Sequence, residues 1–197
     1  MRIDGRKIAE EIRSELKVRI QELTGWGIVP KIAIITLGLE SSWETYVRQK
    51  IKVTGELGIK AVLITLENAD QSKLIRTLRE IDSDPNYHGI IVQRPMPGNI
   101  DRAAVVNAIS PEKDIDGFRS DSKFEVPVWL AVKRILSESG IMNYESWKKQ
   151  KFVVIGKGET AGRPIARGLR KLGVEPQIVD SRTQNAGEIL KSADVII

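Results

Sequence analysis

FVVIGKGETAGRPIARGLRKLG, residues 152–173, joins an apolar run to a periodic, charged segment through a glycine-rich turn. The apolar run 152–155 is typical of a buried parallel strand, and the segment after the turn has the spacing of an amphipathic helix. Gly156, Gly158 and Gly162 form a G-x-G-x-x-x-G pattern, a variant of the dinucleotide-binding fingerprint. This pattern predicts a strand–turn–helix unit that binds a pyrophosphate through backbone N–H groups. A glycine-rich turn without a nucleotide is the alternative.

Predicted strands and helices alternate on both sides of this unit. Apolar runs rich in β-branched residues predict strands, and apolar residues every three or four positions predict helices. The predicted strands are 31–38, 61–66, 89–93, 176–180 and 193–197, and the predicted helices are about 5–23, 42–57, 70–82, 102–109, 128–139 and 186–191. Such alternation indicates βαβ units and mainly parallel sheets with right-handed crossovers.

The first predicted helix carries an apolar stripe along its length. Apolar residues recur every three or four positions, with charged residues between them, at Ile8, Ile12, Leu16, Ile20 and Leu23. A helix with this pattern is amphipathic and buries its apolar stripe against the rest of its domain. We therefore predict that this helix covers a sheet.

The pattern of strands and helices predicts two α/β domains. Residues 1–125 are expected to form a three-layer catalytic domain, and 126–140 a helix that links the domains. Residues 141–197 are expected to form a Rossmann-like dinucleotide-binding domain. Only three strands of that domain are visible where a doubly wound fold has about six, so we expect it to be incomplete at its C-terminus.

Composition narrows the class of protein. Of the 197 residues, 41% are hydrophobic and 29% charged, which is typical of a globular protein, and no apolar run approaches the about 20 residues that span a bilayer. The absence of cysteine excludes disulfides and thiolate metal sites. The 31 Lys and Arg residues are interleaved with 26 acids, so neither a nucleic-acid partner nor a membrane is expected. The N-terminus lacks the pattern of a secretion signal, which favours a cytoplasmic location.

Tyr46 and Lys50 are candidate ligand-binding residues on the second predicted helix. Their i, i+4 spacing places both side chains on one face of the helix. The ring can stack on a planar ligand, and a partly desolvated amine can transfer protons near neutral pH. An ordinary solvated helix face that happens to contain a tyrosine and a lysine is the alternative.

The segment HGIIVQRPMPG, residues 88–98, predicts one edge of a ligand site. Its strand ends at Gln93, at the carboxyl edge of a parallel sheet, where ligands bind in open α/β folds. Pro95 and Pro97 keep the exit loop extended and stiff, as in a preorganised pocket wall or in a plain surface loop. His88, the single histidine, precedes the strand and is interpreted as structural.

Two acidic positions add to the candidate sites. The turn-rich loop KDIDGF, 113–118, contains Asp114 and Asp116, and a carboxylate can bind a donor-rich heterocycle through paired hydrogen bonds. Without further carboxylates at ligand spacing, we predict no metal site there. Asp180 ends the strand after the glycine-rich turn, near the position at which an acid binds a ribose 2′-hydroxyl.

Six segments, in order, resemble motifs of the methylenetetrahydrofolate dehydrogenase/cyclohydrolase family. They are DGRKIA (4–9), YVRQK (46–50), GIIVQRPMP (89–97), KDIDGF (113–118), GKGETAGRP (156–164) and DSRT (180–183). The resemblance implies a catalytic N-terminal domain that binds tetrahydrofolate derivatives, a Rossmann-like NADP domain, a cleft between the two, and a homodimer. The implied reactions are oxidation of 5,10-methylenetetrahydrofolate and hydrolysis of the product to 10-formyltetrahydrofolate.

The resemblance also implies roles for individual residues of the folate site. Lys50 corresponds to the central catalytic group, Tyr46 to the tyrosine that stacks on the folate, and Gln93 to the residue that positions the lysine. Asp116 corresponds to the acid that holds the pterin, and Pro95 lies in the substrate-binding motif.

The cofactor side departs from the family pattern. The cofactor-binding candidates are Gly156, Lys157, Gly158, Gly162, Asp180, Ser181 and Arg182. Lys157 and Gly158 replace the usual Arg-Ser, and Lys157 can act as a point charge toward a phosphate. Asp180 replaces a histidine and favours NAD unless Arg182 compensates. The resemblance implies NADP as the cofactor, and these departures make NAD possible. A monofunctional cyclohydrolase and a non-catalytic folate-binding or dimerising protein are the alternative functions.

Overall fold

The computed structural model describes residues 2–38, 41–67, 70–140 and 144–197. The chain divides into two compact units, Arg6–Glu125 and Val126–Ile197, the second of which includes the N-terminal residues as far as Gly5. Both are α/β units with parallel sheets, as the alternating pattern predicts. No helix within the described ranges is long and apolar enough to cross a membrane.

The first unit contains three parallel strands. Its elements are α1 (Gly5–Gly25), β1 (Lys31–Leu37), α2 (Ser41–Leu57), β2 (Lys60–Leu66), α3 (Gln71–Ser83), β3 (Gly89–Val92) and α4 (Arg102–Asn107). The strand order is β2-β1-β3, so the first strand is central. Gly58, at φ +83°, ends α2 in the left-handed conformation that glycine adopts without strain.

Helices cover both faces of this sheet. Because side chains alternate along β1, Ala33 and Ile35 face one side, where they pack in a core that includes Leu74 and Leu78 of α3. Ile34 faces the other side and packs with Val47 of α2. The first unit is therefore the predicted three-layer structure.

Helix α1, which the sequence predicts to cover a sheet, buries its apolar stripe only in part. Ile20 is its one buried side chain, whereas Ile12 and Leu16 are 40% and 37% exposed. Ile20 lies beside Gly58, at the start of the chain segment leading into β2. Ile8 and Leu23 are partly buried, so the stripe is covered toward both ends of the helix, and its middle stays accessible.

The second unit also has a three-stranded parallel sheet. Its elements are α5 (Pro127–Glu138), α6 (Tyr144–Trp147), β4 (Phe152–Ile155), α7 (Gly162–Lys171), β5 (Gln177–Val179), α8 (Ala186–Lys191) and β6 (Val195–Ile196), with strand order β5-β4-β6. The short helix α6 is absent from the sequence prediction.

Helix α5, predicted from the sequence to link the domains, lies inside the second unit. Trp129 and Leu136 belong to its core, together with Trp147 of α6. Gly168 of α7 lies directly against the Trp129 ring, and any Cβ at that position would overlap the indole. The two helices therefore approach closely because one of them presents a glycine.

Candidate functional site

Lys50 and Gln93 meet at the carboxyl edge of the first sheet. The Lys50 Nζ donates a hydrogen bond of 3.0 Å to Gln93 Oε1. The Gln93 Nε2 in turn donates to the Arg94 carbonyl oxygen at 2.8 Å, and the Gln93 backbone N–H donates to the Ile35 carbonyl at 2.8 Å. The backbone of Gln93 therefore continues the strand ladder, and its amide holds the amine of Lys50 in one place.

Tyr46 lies one turn before Lys50 on α2. The neighbouring Val47 is 2% exposed and packs with Ile34 of the sheet, which anchors this part of the helix. Tyr46 is 69% exposed, so its ring is accessible to a ligand. The structure thus places the predicted stacking ring and the predicted catalytic amine on one side of the same helix.

The loop that contains Asp114 and Asp116 is fastened to β3. The Ile90 N–H donates to the Lys113 carbonyl at 2.8 Å, and Asp114 forms a parallel bridge with Ile90. Asp114 is 3% exposed, and its Oδ2 accepts from the Arg119 N–H at 2.8 Å. The first acid of the loop therefore holds the loop together, while the second, Asp116, interacts electrostatically with Lys50.

Burial raises the pKa of Asp116 from 3.8 to about 6. The nearby positive charges of Lys50 and Arg94 act in the opposite direction, and the negative charge of Asp114 adds to the rise. These couplings place Asp116 in the same electrostatic cluster as the Lys50 amine. The carboxylate therefore changes its charge within the range of pH in which enzymes are commonly assayed.

Arg94 also belongs to this cluster, although it is not among the residues predicted from the sequence. Its guanidinium carbon lies 3.9 Å from the centre of the Phe118 ring, a cation–π contact. Burial lowers the pKa of Arg94, and the negative charge of Asp116 opposes that effect. In sequence, Arg94 stands between Gln93 and Pro95, and no spacing or pattern there distinguishes it from a surface arginine. The Arg94–Pro95 peptide bond is cis, and Pro95 is exposed.

His88 lies at the other end of β3. Its Nδ1 accepts a hydrogen bond of 3.1 Å from the Lys31 backbone N–H, and the His88 backbone N–H donates to the Lys31 carbonyl at 2.8 Å. These bonds join the starts of β3 and β1. They agree with the structural role that the sequence suggests.

The glycine-rich turn of the second unit has two positions that require glycine. Gly156 has φ +93°. Gly162, the first residue of α7, lies so close to the Gly156 carbonyl that any Cβ would overlap it. Gly158 has open space around its Cα. A tight turn that leads straight into a ten-residue helix fits the pyrophosphate of a dinucleotide, because backbone N–H groups gather at the helix N-terminus.

Lys157 and Asp180 form an ion pair between this turn and the end of β5. Asp180 Oδ1 also accepts from the Arg182 N–H at 2.9 Å and from the Thr183 hydroxyl at 3.2 Å. The hydrogen bond from Lys157 and that from the Arg182 N–H hold the pKa of Asp180 below its usual value. Ser181 and Arg182 are exposed beside it. The cofactor-side candidates on the two loops thus lie together.

Comparison with known proteins identifies relatives along the whole chain. The family model described as tetrahydrofolate dehydrogenase/cyclohydrolase, catalytic domain, matches residues 3–116. The bifunctional protein FolD of Campylobacter concisus is 35% identical over 205 residues, which cover 99% of this chain and 71% of that protein. The FolD protein of Ligilactobacillus salivarius is 34% identical, with 99% and 70% covered.

Two solved structures share the fold of this chain. The bifunctional FolD methylenetetrahydrofolate dehydrogenase/cyclohydrolase from Campylobacter jejuni gives a TM-score of 0.89 at 29% identity, covering 98% of this chain and 71% of that one. The Trypanosoma brucei N5,N10-methylenetetrahydrofolate dehydrogenase-cyclohydrolase, complexed with NADP cofactor and inhibitor, gives 0.90 at 28% identity, covering 100% and 70%. From these matches, this chain belongs to the tetrahydrofolate dehydrogenase/cyclohydrolase family.

Proposed function

We propose that this protein oxidises 5,10-methylenetetrahydrofolate to 5,10-methenyltetrahydrofolate, with NADP or NAD, and hydrolyses that product to 10-formyltetrahydrofolate. The observation that carries the proposal is the hydrogen bond between Lys50 and Gln93 at the carboxyl edge of the sheet, in a chain of this family. An amine held by an amide at a ligand-binding edge is suited to moving protons at one carbon of a bound substrate.

In the hydrolysis, Lys50 is proposed to move the protons. Water adds through its oxygen to the methenyl carbon, and one of its two protons is released. The second proton passes to the ring nitrogen as the carbon–nitrogen bond breaks and the formyl carbonyl forms. A neutral amine can accept such a proton, and the resulting ammonium can donate it. Gln93 Oε1 supports this role because it fixes the position of Nζ.

Asp116 and Tyr46 are proposed to bind the pterin. An ionised carboxylate accepts hydrogen bonds from the adjacent N–H donors of a pterin ring, a geometry that a protonated acid loses. The accessible ring of Tyr46 offers a flat surface on the Lys50 side of α2. Pro95, in the loop directly after Gln93, is proposed to contribute a wall of the same site.

The second unit is proposed to hold the dinucleotide. Gly156, Gly158 and Gly162 would bind the pyrophosphate through the turn and the start of α7. Asp180 and its neighbours would lie at the ribose of the adenosine. When bound, the nicotinamide would supply the hydride acceptor for the oxidation.

Two parallel assays test the proposal. One follows 5,10-methylenetetrahydrofolate oxidation with NADP or with NAD, and the other follows hydrolysis of 5,10-methenyltetrahydrofolate. Activity in both supports the bifunctional enzyme. Hydrolysis without oxidation would select the monofunctional cyclohydrolase, and folate binding without either reaction would select the non-catalytic alternative.

The proposal includes a homodimer in the cytoplasm. Strand β2 is at the edge of its sheet, and no strand in the described part of the chain pairs with its outer side. Leu63 of this strand is 43% exposed, and Ile12 and Leu16 in the apolar stripe of α1 are also exposed. A second copy of the chain would cover such an edge strand. The cysteine-free sequence is compatible with a reducing compartment.

A further inference from the structure

The ion pair between Lys157 and Asp180 determines the charge at one end of the dinucleotide site. Lys157 is the one basic residue in the turn 156–162, and its Nζ is bound to Asp180 Oδ2. The Asp180 side chain is only 18% exposed, against 59% for Lys157. The cation available for a phosphate in this turn is therefore already bound to a carboxylate.

Asp180 is held in place from two other directions. Its Oδ1 accepts from the Arg182 N–H and the Thr183 hydroxyl, and that hydroxyl also accepts from the Asp180 N–H at 2.9 Å. These bonds fix the carboxylate at the end of β5. A carboxylate offers about four lone-pair positions, so three donors leave room for one more.

The two forms of the dinucleotide differ at the adenosine ribose. The 2′-hydroxyl of NAD is one hydrogen-bond donor, which matches the remaining acceptor position of Asp180 without breaking the ion pair. The 2′-phosphate of NADP is an anion, which a fixed carboxylate repels. Lys157 could bind that phosphate only by leaving Asp180, which would expose an unpaired carboxylate to it. The exposed Arg182 guanidinium would have to offset this repulsion without Lys157.

We propose that the Lys157–Asp180 ion pair makes NAD the preferred dinucleotide of this protein. The inference rests on the proposed function and specifies its cofactor. Asp180 is the acceptor for the ribose 2′-hydroxyl, and Lys157 keeps that acceptor ionised and oriented. Repulsion by the Asp180 carboxylate weakens the binding of a 2′-phosphate and does not affect a 2′-hydroxyl.

Calorimetric titration of the full chain with NAD and with NADP tests this without any turnover. The unaltered protein should bind NAD about tenfold more tightly than NADP, a difference of about 1.4 kcal/mol. Asp180→Asn keeps an oxygen for the Arg182 N–H and removes the charge that repels the phosphate. This variant should bind NADP about tenfold more tightly than the unaltered protein and should lose the preference for NAD.

A second variant tests the charge of Lys157 while the hydrogen bonds that hold Asp180 remain. Lys157→Met leaves Asp180 and its turn hydrogen bonds in place but removes the neutralising cation, so NADP should bind about tenfold more weakly still. Glu175→Gln is the matched control, because it removes an acid from another surface ion pair of this unit, with Arg170, and should leave the NAD/NADP ratio unchanged.

Three results would overturn the inference. They are a preference of the unaltered protein for NADP, an unchanged ratio in Asp180→Asn, and no binding of either dinucleotide. Failure of the proposed function is seen separately, as a lack of turnover in the folate assays. A protein that hydrolyses methenyltetrahydrofolate but binds NADP more tightly would retain the proposed cyclohydrolase activity and refute the role of the ion pair.

Discussion

Both polar atoms of the Gln93 side-chain amide form hydrogen bonds. Oε1 accepts from Lys50 Nζ, and Nε2 donates to the Arg94 carbonyl. This arrangement makes it a positioning residue for the amine. Gln93→Leu removes both hydrogen bonds, so we expect kcat for methenyltetrahydrofolate hydrolysis to fall by about 10²-fold, with a smaller change in KM. Steady-state kinetics measures both constants.

The matched control is Gln49→Leu, because Gln49 is an exposed glutamine next to Lys50 on the same helix. It should leave kcat within about twofold. An equal loss of kcat in both variants, or a change confined to KM in Gln93→Leu, would contradict the positioning role.

The ionised carboxylate of Asp116 should lower the stability of the folded, ligand-free protein at neutral pH. Its folded pKa, about 6, lies above the usual value of 3.8, so the folded state holds the proton more tightly than the unfolded state. Stability from this group is full below about pH 4 and is lost as the pH rises through 6. Asp116→Asn should therefore raise the free energy of unfolding at pH 7.5 by about 1–2 kcal/mol, after allowance for partial exposure.

Denaturant titrations at pH 7.5 and below pH 4 measure this effect, which should vanish at the lower pH. The same variant should bind folate substrate poorly, and the unaltered protein should lose affinity below pH 6. Glu112→Gln, an exposed acid of the same region, is the control and should change neither property. A variant that is less stable than the unaltered protein at pH 7.5 would refute the argument.

Several members of the first site could be predicted from the sequence, and Arg94 could not. Lys50, Gln93 and Asp116 stand at a helix spacing, at a strand end and in a turn-rich loop, all of which are local patterns. Arg94 joins them through its contact with Phe118, which depends on how two loops fold onto each other. The ion pair of Lys157 with Asp180 is likewise a contact between separate loops.

The turn between β4 and α7 requires glycine at position 162. Gly162→Ala would place a Cβ against the Gly156 carbonyl, so the turn or the start of the helix must shift. We expect a loss of about 1–3 kcal/mol in the stability of the second unit. Dinucleotide binding should weaken as well.

Gly158→Ala is the matched control for stability, because nothing lies within 4 Å of a Cβ at that position. Thermal unfolding followed by circular dichroism compares the two variants. If both lose stability equally, loss of glycine flexibility and not steric overlap is responsible.

The regular elements follow from periodicity, and the exceptions have physical reasons. The longer strands and helices agree with their predicted positions because their apolar spacing extends over several residues. Helix α6 has four residues, too few to show a period. Burial along α1 could not be predicted, since the apolar stripe is continuous in sequence but its middle, at Ile12 and Leu16, is exposed.

The outer edge of strand β2, unpaired within the described ranges, leads us to expect that two copies of the protein associate. Leu63 is paired in register with Ile34 and thus lies on the α2 side of the sheet, where it remains 43% exposed. Leu63→Lys introduces a charge at this edge and should convert a dimer into a monomer. Size-exclusion chromatography with light scattering gives the mass directly.

Leu130→Lys is the control, because Leu130 is a similarly exposed leucine, 45%, in the second unit. It should leave the dimer intact. Dimers that persist in Leu63→Lys, or an unaltered protein that is monomeric, would show that this edge is not the interface.

Hydrolysis of 5,10-methenyltetrahydrofolate by the unaltered protein and by Lys50→Met tests whether Lys50 is the catalytic amine. Lys50 is partly exposed at a sheet edge, so its replacement should leave the fold intact, as circular dichroism would show. We predict hydrolysis by the unaltered protein and its loss, by at least about 10²-fold, in Lys50→Met. A folded Lys50→Met protein that hydrolyses the substrate at the normal rate would show that Lys50 does not move the protons.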